Sequence, residues 1–97
     1  MRGDAASRVD RPAWVHACAV RSEPVWSPTH DDVDSRAGRD CAEAVYRGAG
    51  ITEPFRELDV VEMFSPYSWM TPMLVENLGL AAPGAGWRLV EDEVTAF

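Results

Sequence analysis

Leu58-Asp59-Val60-Val61-Glu62-Met63-Phe64-Ser65-Pro66-Tyr67-Ser68-Trp69-Met70, continued by Thr71-Pro72-Met73-Leu74-Val75-Glu76-Asn77-Leu78-Gly79, reads as a strand that runs into a helix. Val60, Val61 and Met63 form a short apolar run of strand-like residues, bounded upstream by Arg56 and Glu57. Ser65-Pro66 makes the elbow: serine caps helices, and proline is tolerated at a first helical position because its missing N–H has no intrahelical partner there. The helix is predicted to reach about Leu78, where Gly79 supplies a left-handed stop. Pro72 either kinks it or, with Thr71 as cap, marks where its regular part begins. Residues 64–69 are thus expected where a strand ends and a helix starts, the place where α/β folds gather ligands and chemistry.

The 97 residues allow one domain at most. A compact domain of that length buries roughly 60–68 % of its unfolded surface, enough for modest independent stability. A hydrophobic fraction of 46 % and four Trp argue against disorder over most of the chain. Net charge is −7, and all nine basic residues are Arg. No basic patch is formed in sequence, which argues against nucleic acid as a partner. The acidic balance also disfavours an anionic membrane or a CoA phosphate unless the Arg are gathered locally. Arg-only, Ala- and Gly-rich usage suggests a GC-rich bacterial genome. Cys18 and Cys41 make no secreted disulfide framework. Met1 to Asp10 lacks the apolar stretch of a signal peptide, and no apolar run approaches the ~20 residues that span a bilayer. The expected location is cytoplasmic.

Residues 1–11 read as a disordered lead-in and residues 12–97 as one partial domain. Trp14 to Val20 is a second candidate strand. His16 in it is a ligand or base or, as the preferred reading, a half-buried strand histidine, since no second ligand stands at metal spacing nearby. Residues 21–34 form a loop in which Trp26 folds back over the core, the preferred reading, or helps to line a pocket. His30-Asp31-Asp32 are adjacent on an irregular segment and do not make a metal cluster, and no cofactor is called for. Asp34 or Ser35 caps a helix from Arg36 to about Gly48, whose stripe is Ala37, Cys41, Ala44, Val45 and Ala49. Cys41 belongs to that stripe and is read as core. Ile51 to Phe55 is a linker. Ala81 to Gly86 is a flexible small-residue turn, lacking the Lys, the Ser/Thr and the following helix of a phosphate loop. Trp87 to Val90 reads as extended, and Glu91, Asp92 and Glu93 as a solvated charge run ahead of an apolar tail. The order strand-helix-strand-helix plus extended tail is an α/β pattern with too few strands for a finished sheet.

Residues 58–97 resemble the thiolase superfamily, most closely its lipid-transfer-type (sterol-carrier-protein-like) branch. The segments that carry the likeness are Leu58-Asp59-Val60-Val61-Glu62, Glu76-Asn77-Leu78-Gly79-Leu80, and Gly84-Ala85-Gly86-Trp87 followed by Leu89-Val90-Glu91. Arg11 to Val15 and the stretch to Ala49-Gly50-Ile51 are similar to the opening strand and helix of the same family's C-terminal half. The resemblance spans about residues 10–97 and corresponds to a middle portion of a family subunit. It implies an incomplete thiolase-like α/β fold and chemistry on acyl-CoA thioesters, with acyl-CoA as substrate and no bound cofactor. The family's nucleophilic Cys, and the second Cys and the His of its later loops, have no counterpart here; Cys18 and Cys41 inherit no role.

One family motif falls inside the chain. Thiolases carry Asn-Glu-Ala-Phe after this strand, and the lipid-transfer-type enzymes His-Asp-Cys-Phe; the matching positions are Phe64, Ser65, Pro66 and Tyr67. The family's Asn or His polarises a substrate carbonyl, which Phe64 cannot do. A neighbouring branch acts as aldolases on CoA thioesters of steroid side chains, beside a small OB-fold partner, and is thought to use tyrosine. Tyr67 is therefore either an acid/base or a packing residue in the family Phe position. The candidate site is Tyr67 and Ser65, lined by Phe64, Pro66 and Trp69. Two functions follow: a fragment of a thiolase-like acyltransferase or aldolase, inactive alone and completed by the remainder of its subunit, or a non-catalytic module that docks with a thiolase-like or OB-fold partner through Trp26, Trp69 and Trp87. An independent enzyme is the least supported, because no paired catalytic groups stand at a workable spacing.

Overall fold

The structure, a computed structural model, describes residues 10–24, 28 and 34–95. The expectations for residues 1–9, for Trp26, for His30-Asp31-Asp32 and for the last two residues lie outside it. Among the described residues all regular structure is helical: α1 (Arg36–Ala49), α2 (Pro54–Glu57), α3 (Met70–Asn77) and α4 (Gly86–Glu91). The α/β expectation is therefore corrected, because the described residues contain no strand.

The first candidate strand packs on a helix. Ser35 caps α1, its Oγ accepting the Gly38 amide at 3.1 Å. Ser35 in turn donates to Glu23 at 3.1 Å, and the same carboxylate accepts the Ala37 amide at 3.3 Å. The first turn of α1 contains no acidic residue of its own, so Glu23 brings a negative charge to the positive end of the helix. Further along, Cys41 Sγ donates to the Ala19 carbonyl at 3.3 Å, and a Cβ placed on Gly48 would lie 3.1 Å from that of Ala17. The segment thus runs antiparallel to α1. Six extended steps from Ala17 to Glu23 would reach about 20 Å, and the eleven helical steps from Gly48 to Ala37 about 17 Å, so the two match in length.

A second face of α1 meets α3. Ala42 is buried, and Gly38 approaches the Cβ of Asn77. Tyr46 donates its hydroxyl to the Leu78 carbonyl at 2.7 Å. Gly38, Ala42 and Tyr46 form an i, i+4, i+8 row about 100° around the helix from the row holding Cys41. Two neighbouring rows serving two different partners explain why the helix separates the segments that a sheet would have joined.

Residues 58–66 carry no regular structure, and among the described residues no backbone–backbone hydrogen bond involves residues 59–66. The apolar run that reads as a buried strand has no second strand beside it among the described residues. Its exposure alternates from Glu62 onward, after four successive exposed residues from Asp59. Val60 is 78 % and Phe64 85 % exposed with Glu62 exposed between them, while Met63 and Ser65 are half-buried. Period two is the habit of extended chain.

The helix predicted from Ser65-Pro66 begins later, at Met70. Pro72 is its third residue, where its missing N–H is one of the amides that lack an intrahelical partner anyway, so no kink is needed. The C-terminal expectation matches the structure. Gly79 has φ 68°, its amide donates to Glu76 O at 2.9 Å, and Leu80 N donates to Val75 O at 2.8 Å. This is the paired closure of a Schellman motif.

Trp87 to Val90, expected as extended, lies in α4; a four-residue apolar run does not by itself distinguish strand from helix. The loop before α4 is tethered where a flexible turn was expected. Glu76 accepts the Gly84 amide at 2.9 Å through Oε2 and the Gly86 amide at 2.8 Å through Oε1.

Among the described residues the fully buried apolar side chains are Ala42 and Val75, so the hydrophobic term is small for this length. The Cα radius of gyration is 15.9 Å, against about 12.5 Å for a closed domain of this size.

Linker residues gain order from Glu57. Its Oε1 accepts the amides of Glu53 at 2.5 Å and Thr52 at 2.7 Å and the Thr52 hydroxyl at 3.3 Å. The Glu53 amide, followed by that of Thr52, holds the Glu57 carboxyl below its usual 4.5. A depressed carboxyl contributes stability that is complete above the unfolded value and is lost as pH falls through the folded one. An NMR titration of this carboxyl is expected to give a midpoint below the ordinary glutamate range, and Glu57→Gln to remove the matching acid dependence of the Thr52 and Glu53 amide shifts. A midpoint at or above the ordinary range would contradict the hydrogen-bonded arrangement.

Candidate functional site

The elbow residues lie between the non-helical run and α3, in a turn closed by Met70 N donating to the Tyr67 carbonyl at 2.9 Å. Ser65 Oγ donates to the same carbonyl at 3.3 Å and is 2.7 Å from Thr71 Oγ1. A hydroxyl has one proton, so with Ser65 directed at Tyr67 O the Thr71 hydroxyl is the donor of the second bond. Thr71 is 2 % exposed, and the bond fastens the elbow to the first turn of α3. Among the described residues no imidazole, thiol or carboxylate is hydrogen-bonded to Ser65, which leaves it without the base that activates a nucleophilic serine.

Tyr67 and Trp69 stack with planes 3° apart and centroids at 6.5 Å. They remain 63 % and 52 % exposed, and Pro66 and Phe64 are exposed beside them. The structure therefore brings Tyr67 and Trp69 together on an open surface, with Ser65 turned inward to Thr71. Two cavities lie beside α3 among the described residues, and residues 64–69 line neither of them.

One cavity, about 500 Å³, lies between the run 58–63 and the pair α3–α4; Leu58, Val61, Met63, Val75, Leu80 and Leu89 line it, with Asp59 and Thr95 as its polar groups. The other, about 310 Å³, lies between α1 and α3 against Ala42, Tyr46, Pro54 and Asn77. Burial raises the Tyr46 phenol above its usual 10.0, which keeps it a donor to Leu78 at all physiological pH.

The remaining candidates are scattered. His16, predicted as half-buried, is exposed, as is Cys18; Cys41 is half-buried on α1. Among the described residues no group of three His, Cys, Asp or Glu side chains is arranged to hold a metal, and no helix is long and apolar enough to cross a membrane. Trp87 is 48 % exposed with Arg88 placed over its ring at 5.4 Å, a cation–π contact.

Sequence reasoning missed Thr71, which positions Ser65, and Glu76, which fixes the 84–86 loop. Thr71 was weighed only as a cap. Glu76 meets amides eight and ten residues away, a spacing that belongs to no local motif.

No family model, curated protein or solved structure matches this chain.

Proposed function

We propose that this chain is a segment of a thiolase-like, lipid-transfer-type subunit acting on acyl-CoA thioesters, with no turnover of its own. The observation that carries the reading is the run 59–66, whose main chain makes no backbone pair among the described residues and whose Val60 and Phe64 are largely exposed. Unpaired backbone and apolar side chains in water are an arrangement that a further polypeptide improves on both counts. In this reading the cover is the remainder of the chain's own subunit or a partner subunit.

The elbow supports the lack of turnover. Phe64 holds the position at which the family places a carbonyl-polarising Asn or His, and a phenyl ring has no proton to donate. The Ser65 hydroxyl is engaged by Thr71 and by the Tyr67 carbonyl. Phe64, Tyr67 and Trp69 then supply apolar surface beside the reacting group, while nucleophile and base come from the completing polypeptide.

A second reading, a non-catalytic module that docks with a thiolase-like or small OB-fold partner, is favoured by the closure of the helices on one another. The caps of α1 and α3 and the Tyr46 bond to Leu78 hold these elements together within the chain.

The test is release of free CoA from acyl-CoA thioesters. The purified chain is expected to release none. Co-expressed with the products of neighbouring reading frames that carry a nucleophilic Cys and a His loop, it is expected to form a complex that does. Turnover by the chain alone overturns the first reading, and a stable complex without turnover replaces it by the second.

A further inference from the structure

We propose that residues 59–66 are the docking edge for an extended, arginine-bearing segment of a partner protein chain, which pairs with the free main chain and sets an arginine opposite Glu62. The inference rests on the reading that the chain works within a larger assembly, and adds which surface is joined and by what chemistry. Three observations carry it.

The first is the backbone. Residues 59–65 each have an N–H, none of which donates to another backbone group among the described residues, and Pro66 ends the row of donors. Such an edge is a template for strand addition, in which main-chain bonds give affinity and alternate side chains give selectivity.

The second is the exposed face of the run. Val60, Glu62 and Phe64 are all exposed at every second position of the run, the two apolar members at 78 % and 85 %. Glu62 is exposed between them and makes no ion pair with a described residue. The complement of an apolar–carboxylate–apolar row is an apolar–cation–apolar row.

The third is the surrounding charge. Residues 57–87 contain Glu57, Asp59, Glu62 and Glu76 and no Lys, Arg or His. Glu57 and Glu76 are engaged on the chain's own amides and Asp59 borders the cavity against α3 and α4, which leaves Glu62 to face a partner. This field repels a second copy, since antiparallel self-pairing about Glu62 would set the two carboxylates opposite each other. Arginine fits better than lysine, because a planar guanidinium both pairs with a carboxylate and lies over an aromatic face, and Phe64 is beside Glu62 with Tyr67 and Trp69 just beyond.

The experiment uses the full chain and two probe peptides, acetyl-Thr-Val-Arg-Val-Thr-amide and the same peptide with Glu in place of Arg. The Arg peptide is expected to bind about tenfold more tightly at low salt and to slow amide exchange within residues 59–65. Glu62→Arg, a change at an exposed position that leaves the far-UV spectrum unaltered, is expected to invert the preference. Equal binding of the two peptides, absence of binding, or protection confined to other residues overturns the docking edge. If the edge fails while the co-expressed complex still forms, the larger-assembly reading stands without it; if the chain instead turns over acyl-CoA alone, that reading falls by its own test.

Discussion

Gly86→Ala is expected to destabilise the chain by about 3 kcal/mol, the upper end of overpacking costs. A Cβ at this position would lie 2.2 Å from the Pro72 carbonyl oxygen and 2.9 Å from both Cγ and Oε1 of Glu76. The Pro72 oxygen belongs to the backbone of α3 and cannot turn aside as a side chain would. Relief requires α3 and α4 to separate, and their contact is the most extensive between helices of the described chain. Separation would also expose Val75, which is 1 % exposed. Gly84→Ala is the control. Gly84 has φ 76° with nothing within 4 Å of a new Cβ, so it meets only the left-handed backbone penalty of about 1–2 kcal/mol. Urea unfolding followed by far-UV circular dichroism separates the two, and equal losses for both variants would show that the close approach of α4 to α3 is absent in solution.

The comparison of sequence with structure turns on what each residue needed to know about distant ones. Stops and caps are local, and two of them were legible, whereas the start expected at Ser65-Pro66 was not, since α3 begins at Met70. Gly79 after an apolar helical run demands the left-handed closure that the structure contains, and Ser35 caps α1 three residues ahead of the amide it accepts. Pairing is not local. Val60, Val61 and Met63 have strand-like side chains, but a strand exists only when another main chain lies alongside, and nothing in residues 58–64 says whether one does. The Trp14–Val20 segment was read by the same rule, and its Ala17 and Ala19 lie instead against α1, beside Gly48 and Cys41. In α4, the four residues Trp87 to Val90 suit either state; the tether of Gly86 to Glu76 and the packing on α3 decide for helix. The candidate site shares this limit. Its members come from one motif position, of which the structure stacks Tyr67 on Trp69 and holds Ser65 on Thr71. Their exposure was not legible, because it depends on polypeptide outside residues 64–69.

Glu76→Ala is expected to cost about 2 kcal/mol. The wild-type carboxylate accepts two amides, from Gly84 and Gly86, and charge-assisted hydrogen bonds contribute about 1.5–3 kcal/mol each when desolvated. The two ends differ. Gly84 is exposed, so water replaces the carboxylate there at little cost; Gly86 is buried, so its N–H is left without a partner and bears most of the penalty. Glu76→Gln keeps a carbonyl acceptor for one amide and is expected to lose about half as much. Hydrogen exchange provides the local readout: in Glu76→Ala the Gly86 amide is expected to lose protection along with the α4 amides, while α1 amides keep theirs. The double variant Glu76→Ala, Gly86→Ala is expected to cost less than the two single losses combined, because removal of Cγ and Oε1 relieves two of the three close approaches of the new Cβ. Strict additivity would mean that the Pro72 carbonyl alone sets the Gly86 effect. The same carboxylate accounts for the loop's chemistry. A turn of small residues ahead of a helix resembles an anion-binding loop, but here the two amides that would meet an anion already hold one supplied by α3, so the loop joins two helices and has no such site left to offer.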